Sequence, residues 1–156
     1  RWRETYLVFL QEEDRPLAET TRRTLLAMGG RFEVHDMRAN KAGHLNSLTL
    51  MVRGEPSAMD IVYTSGEEAT EQIPELVADL KDAEDRDNLE ASLASIRRAT
   101  ARLDVLHFQR HPAGQSEDEA EENADPTSLL LVLERLCQLC HGVAVDPQSA
   151  TLVASA

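Results

Sequence analysis

Apolar positions along the chain recur with two different periods, and the changes of period mark its elements. Thr5-Tyr6-Leu7-Val8-Phe9-Leu10 is a short, β-rich apolar run, which predicts a buried strand. Gln11–Asp14 breaks the run, and Pro16 stands where a helix can begin, with Asp14 as its cap. Leu17, Thr21, Thr24, Leu25 and Met28 share one helical face, and Gly29-Gly30 ends it. Alternation returns in Arg31–Met37, where Phe32, Val34 and Asp36 lie on one side. The turn-rich Arg38–His44 joins it to Leu48–Val52, which predicts a long hairpin.

Gly54–Ser57 is a further turn and Met59–Tyr63 a further strand. Ser65-Gly66-Glu67-Glu68 has the capping-box pattern of a helix start, and Ile73, Leu76, Val77 and Leu80 supply an apolar stripe. Pro74 removes a backbone donor, so it either kinks that helix or starts its main body. After the charged Lys81–Asn88, Leu89, Leu93 and Ile96 resume helical spacing, and Leu103–Phe108 reads as a strand. Asp125-Pro126 opens a strongly apolar helix over Thr127–Cys140. Gly142–Val145 and Ala150–Val153, joined by Asp146-Pro147-Gln148-Ser149, close the chain as a hairpin.

This order predicts a single α+β domain over residues 1–156, an antiparallel sheet with helices packed on one face. Residues 4–108 suit a ferredoxin-like, split-βαβ core, extended by the helix and hairpin of residues 126–154. In topology the order resembles the ACT-type regulatory domains. The turn glycine that those domains carry after their first strand is replaced here by Gln11-Glu12-Glu13-Asp14.

Charge narrows the possible partners. Among 156 residues the formal net charge is −12, which argues against nucleic acid as the ligand of the whole surface. The charge is also uneven. Residues 1–55 hold 9 basic and 8 acidic side chains, whereas residues 56–156 hold 7 and 20. The segment Arg38–Arg53 is therefore the least repulsive place for an anion. Residues 112–125, rich in carboxylates, have little to bury and are expected to form a mobile loop. No apolar run approaches the roughly 20 residues that span a bilayer, and no signal peptide is visible, so a cytoplasmic setting without membrane attachment is the expectation.

The loudest motif is Cys137-Gln138-Leu139-Cys140-His141, the CxxCH spacing of covalent haem attachment. Its surroundings oppose that use. Leu129, Leu130, Val132, Leu133 and Leu136 make with the cysteines an apolar band on one helix, where thiols are normally inert. The cysteines also close the helix, and there the dipole works against a thiolate. Both are expected to be buried, reduced and metal-free, with His141 at the carbonyl end and Gly142 as cap. His107 and His111 form HxxxH, but on a strand they stand about 13 Å apart, too far for one ion. Asp60 and Asp104 become a carboxylate pair only if their strands are neighbours. No catalytic residue, metal or cofactor is assigned.

The expected function is a non-catalytic ligand-binding or regulatory module that self-associates, as a homo-oligomer, through a sheet edge or helix face. Its partner would be a small-molecule ligand or a protein. The candidate ligand-binding residues lie on the long hairpin: His35, Met37, Arg38, Asn40, Lys41 and His44. Two alternatives are a protein-interaction domain whose acidic surface meets a basic partner, and a small enzyme.

Overall fold

A computed structural model describes residues 2–83, 89–109 and 126–156. The acidic segment 112–125 and His111 lie outside the described residues. The strands are β1 (Trp2–Leu10), β2 (Phe32–Ala39), β3 (Leu45–Val52), β4 (Ser57–Ser65), β5 (Ala101–Gln109), β6 (Val143–Asp146) and β7 (Thr151–Ser155). The helices are α1 (Ala18–Leu26), α2 (Glu67–Thr70), α3 (Ile73–Ala83), α4 (Leu89–Arg98) and α5 (Thr127–Cys140). All seven strands join one antiparallel sheet in the order β2-β3-β4-β5-β1-β6-β7. No helix among the described residues is long and apolar enough to cross a membrane.

The chain is α+β, as its pattern predicts, but its sheet has seven strands and its order is not that of a split βαβ. In a split βαβ, one strand separates the first strand from the one that follows its helix. Here α1 carries the chain past three strands, β5, β4 and β3, to place β2 at the sheet edge. β2 to β5 then return as a meander, so that β5 pairs with β1 along its whole length, Trp2↔Gln109 to Leu10↔Ala101.

The expectation of helices on one face is corrected. Val8, Leu10, Leu48, Leu50, Ile61, Leu103 and Val105 face one core, covered by α1 and α5. Leu7, Phe9, Val143 and Val145 face a second core, covered by α3 and α4. The reason lies in β1 itself. Its apolar run does not alternate with polar residues, so both faces of the strand need cover from water. Fully burying each such side chain contributes about 1.5–3 kcal/mol, enough to hold a helix layer on either side.

Several local expectations shift by a turn. A short 3-10 turn occupies Glu12–Asp14, and Leu17, not Asp14, is the N-cap of α1. Leu17 is fixed there by a bridge to His44, with the Ala18 N–H donating to Gly43 O at 2.9 Å. Gly66 caps α2 without a side-chain hydrogen bond, so the capping-box pattern is not used. Pro74 falls in the first turn of α3, where its missing N–H costs nothing, and so starts that helix's main body.

Candidate functional site

The long hairpin forms, with β2 paired to β3, and its tip is held by Asn40. Asn40 Oδ1 accepts from the N–H groups of Ala42 and His44, at 3.0 and 2.9 Å, so this side chain is spent on the turn. Met37 packs against the first core. His35 lies across from Thr49, with its Nε2 3.8 Å from a Glu33 carboxylate oxygen, while His44 is held at the far end of the loop. Arg38 and Lys41 are exposed. The strand carrying these residues is bent at Asp36, whose φ is 51°, and its register shifts between His35 and Arg38. Neither of the two cavities described below is lined by any of the six.

Beside this hairpin sits an arginine that the sequence pattern did not single out. Arg15 donates through Nε and Nη2 to Leu45 O, at 3.1 and 3.0 Å, and its guanidinium lies 3.8 Å from the Tyr63 ring centroid. It ties the loop after β1 to β3 and β4, a structural role for a planar cation that stacks and donates together.

The CxxCH segment closes α5 as expected, and both thiols are buried. Burial pushes each thiol up to about 12, and the Cys140 Sγ donates to Leu136 O at 3.0 Å. Such thiols are poor nucleophiles and poor metal ligands, because both roles need the thiolate. His141 faces solvent, with its side chain 74 % exposed and Nδ1 3.6 Å from Asp14 Oδ1. The left-handed cap is His141 (φ 53°, ψ 41°) and not Gly142, which instead donates its N–H to Cys137 O at 3.0 Å.

Two further polar groupings were candidates for chemistry. Asp60 and Asp104 do lie on neighbouring strands and on one face, because Asp60 pairs with Leu106 and Asp104 with Val62. Each carboxylate already has its own partner: the Thr49 hydroxyl donates to Asp60 at 2.7 Å, and Arg102 Nε donates to Asp104 at 2.6 Å. On the opposite face Ser57 Oγ lies 2.8 Å from His107 Nε2, a nucleophile-and-base pairing in outline. Burial holds His107 down at about 4, so it is neutral at pH 7. Yet Ser57 is only 7 % and His107 only 3 % exposed, which leaves no approach for a substrate. Their bond satisfies two buried polar groups.

Among the described residues, the arrangement best suited to a ligand lies on the layer of α3 and α4. Ile73, Pro74, Val77, Ala78 and Lys81 of α3, with Arg97 of α4, line a cavity of about 510 Å³. Positions 73, 77 and 81, and 74 and 78, form one strip along the helix, because residues four apart stack. Ile73 and Val77 turn the inner edge of this strip into the second core. Pro74 and Ala78, exposed and short, leave the outer edge concave. Asp79 falls on the opposite side of the helix by the same periodicity, and Glu75 flanks the strip. Lys81 and Arg97 form no ion pair or side-chain hydrogen bond among the described residues, and both are exposed. A second, more polar hollow of about 290 Å³ lies between α4 and the start of β6, bordered by Ser92, Ser95, His141 and Ser155.

Nothing in the charged stretch Lys81–Asn88 announced this cavity, since a run of charges ordinarily marks a solvated face. The readable signal was the pair of short side chains, Pro74 and Ala78, beside the apolar stripe. Taken together, the fold and site define an α+β protein with a two-sided antiparallel sheet and an apolar, cation-flanked cavity on one helical layer. No family model, curated protein or solved structure matches the chain.

Proposed function

We propose that the protein is a non-catalytic ligand-binding or regulatory module, and that the cavity on α3 and α4 is its binding site. The observation that carries this reading is the cavity's volume of about 510 Å³, within the several-hundred-Å³ range of small-molecule sites, together with an apolar wall and a few polar groups at its edge. Supporting it, the groups weighed above for catalysis are, among the described residues, spent or shut away. The thiols are buried, Ser57 and His107 are inaccessible, and Asp60 and Asp104 are engaged separately. A thermal-shift screen of small apolar molecules tests it. Binding to the folded state raises Tm, and Ala78→Trp, which fills the outer edge, is expected to remove the shift without unfolding the protein. No stabilising molecule, or a shift untouched by Ala78→Trp, would end the proposal.

Self-association through a sheet edge is favoured by a separate observation. Among the described residues the sheet ends in two edge strands, β2 and β7, and each carries a register shift. β2 is further guarded by Glu33, Asp36 and Arg38, whereas Thr151-Leu152-Val153-Ala154-Ser155 carries no charge at all. A second copy adding across β7 would meet no electrostatic opposition from the strand itself, and Ser155→Lys would introduce it. Light scattering on a sizing column is expected to show a dimer that this substitution weakens. A monomer at all concentrations refutes the idea.

A further inference from the structure

We infer that the ligand of the α3–α4 cavity is an apolar anion: a small amphiphile with an aliphatic body and a carboxylate-type head. This deepens the binding-module reading and rests on it. The body is assigned by the wall, Ile73, Pro74, Val77 and Ala78, which offers no hydrogen-bonding side chain. Pro74 to Lys81 extends about 10 Å along the helix, long enough to lie against a medium-length acyl chain. The head is assigned by Lys81 and Arg97, which are the polar lining groups and are both cations. An ammonium ion and a planar guanidinium that no described carboxylate engages suit a carboxylate, which the guanidinium can hold through two parallel hydrogen bonds.

The rest of the molecule sharpens the assignment. Residues 56–156, which contain both helices, have 20 acidic against 7 basic side chains. Non-specific attraction by such a protein selects cations. A preference for an anion can therefore arise only from charges at the site itself, where Lys81 and Arg97 are both cations and Asp79 of α3 lies on the far side of the helix.

The experiment compares three probes of equal chain length, octanoate, octanol and octylamine, by calorimetry at low and at physiological salt. Octanoate is expected to bind about tenfold more tightly than octylamine, with its lead shrinking as salt rises. In the double variant Lys81→Gln, Arg97→Gln that lead should vanish while octanol binding stays, since both side chains are exposed and the wall is untouched. Octylamine binding as well as octanoate, or an octanoate preference that survives the double variant, overturns the anion assignment. In that outcome the cavity remains a binding site for apolar molecules. If none of the three binds, the cavity reading fails together with it.

Discussion

The segment His141-Gly142 places two demands on neighbouring residues, and exchanging their side chains separates them. His141 holds the left-handed conformation that ends α5, although it has a Cβ. Gly142 has no left-handed φ, but a Cβ built on it would lie 2.8 Å from Val8 Cγ1, 2.9 Å from Phe9 O and 3.0 Å from Cys140 Sγ. None of these can give way easily. Phe9 is paired on both sides, to Arg102 of β5 and Val143 of β6, and Val8 and Cys140 are fully buried. Gly142→Ala is therefore an overpacking change, expected to cost about 2–3 kcal/mol. For a chain of this size that lowers Tm by roughly 5–10 °C. His141→Gly should do the opposite. It relieves a left-handed residue and gains about 0.5–1 kcal/mol. The Asp14 contact it gives up, at 3.6 Å from a largely exposed ring, is worth little. Equilibrium unfolding in urea measures both, with unchanged m-values as the check that only stability moved. Gly142→Ala at parental stability would show that β1 and α5 do not clamp this glycine. A loss of stability in His141→Gly would show that the ring contributes more than its backbone costs.

Three other outcomes follow from burial. With both thiols near 12, only about one in ten thousand is ionised at pH 8, against roughly a tenth to a quarter of ordinary cysteines. An aromatic disulfide reagent should therefore titrate two thiols in urea and almost none in the native protein, and prompt native labelling would contradict the packing of α5. His107 takes a proton near 6.5 when unfolded but only near 4 when folded. The unfolded state thus binds the extra proton between those values, so stability is complete above about 6.5 and falls by about 3 kcal/mol as pH drops through the window. Urea midpoints against pH should show that slope, and His107→Asn should flatten it. Finally, Leu93→Ala in α4 removes a fully buried side chain and should cost about 3 kcal/mol, whereas Leu130→Ala, 41 % exposed on α5, should cost well under about 1. Equal losses would contradict the separate core beneath α3 and α4.

Local periodicity made most of the elements legible. Thr127–Cys140 is the helix that its apolar band predicts, and the hairpins at residues 32–52 and 143–155 form around their turn residues. What the pattern could not convey was pairing. Whether β1 lies beside β2 or beside β5 depends on contacts a hundred residues apart, and a run such as Leu7-Val8-Phe9-Leu10 is compatible with many neighbours. The same run did contain the two-sided burial of the sheet, because it lacks the polar alternation of a strand with one wet face. For the hairpin candidates, residue type was readable in the sequence but the engagement of each side chain was not. His35 to His44 combine donors, a thioether and imidazoles, yet Asn40 is used by its own turn and Met37 packs against the core. CxxCH illustrates the converse, since the spacing alone suggests haem and only the surrounding leucines reveal a core helix.

Charge read along the chain and charge read on the surface differ, and the difference has a simple scale. Averaged along the chain, residues 38–53 are the place for an anion and the acidic remainder repels one. Averaging along sequence, however, ignores the distance over which charges act, about 8 Å at physiological ionic strength. Within that radius a helix presents faces of different sign, as α3 does with Lys81 on one side and Asp79 on the other. Arg97, sixteen positions later in sequence, comes to the Lys81 side because α4 packs beside α3 over the same core. A cationic site can thus stand inside the more acidic part of the chain. If that site takes the proposed anion, the surrounding negative field would lower its affinity, and the local pair, with the apolar wall, would supply the selectivity.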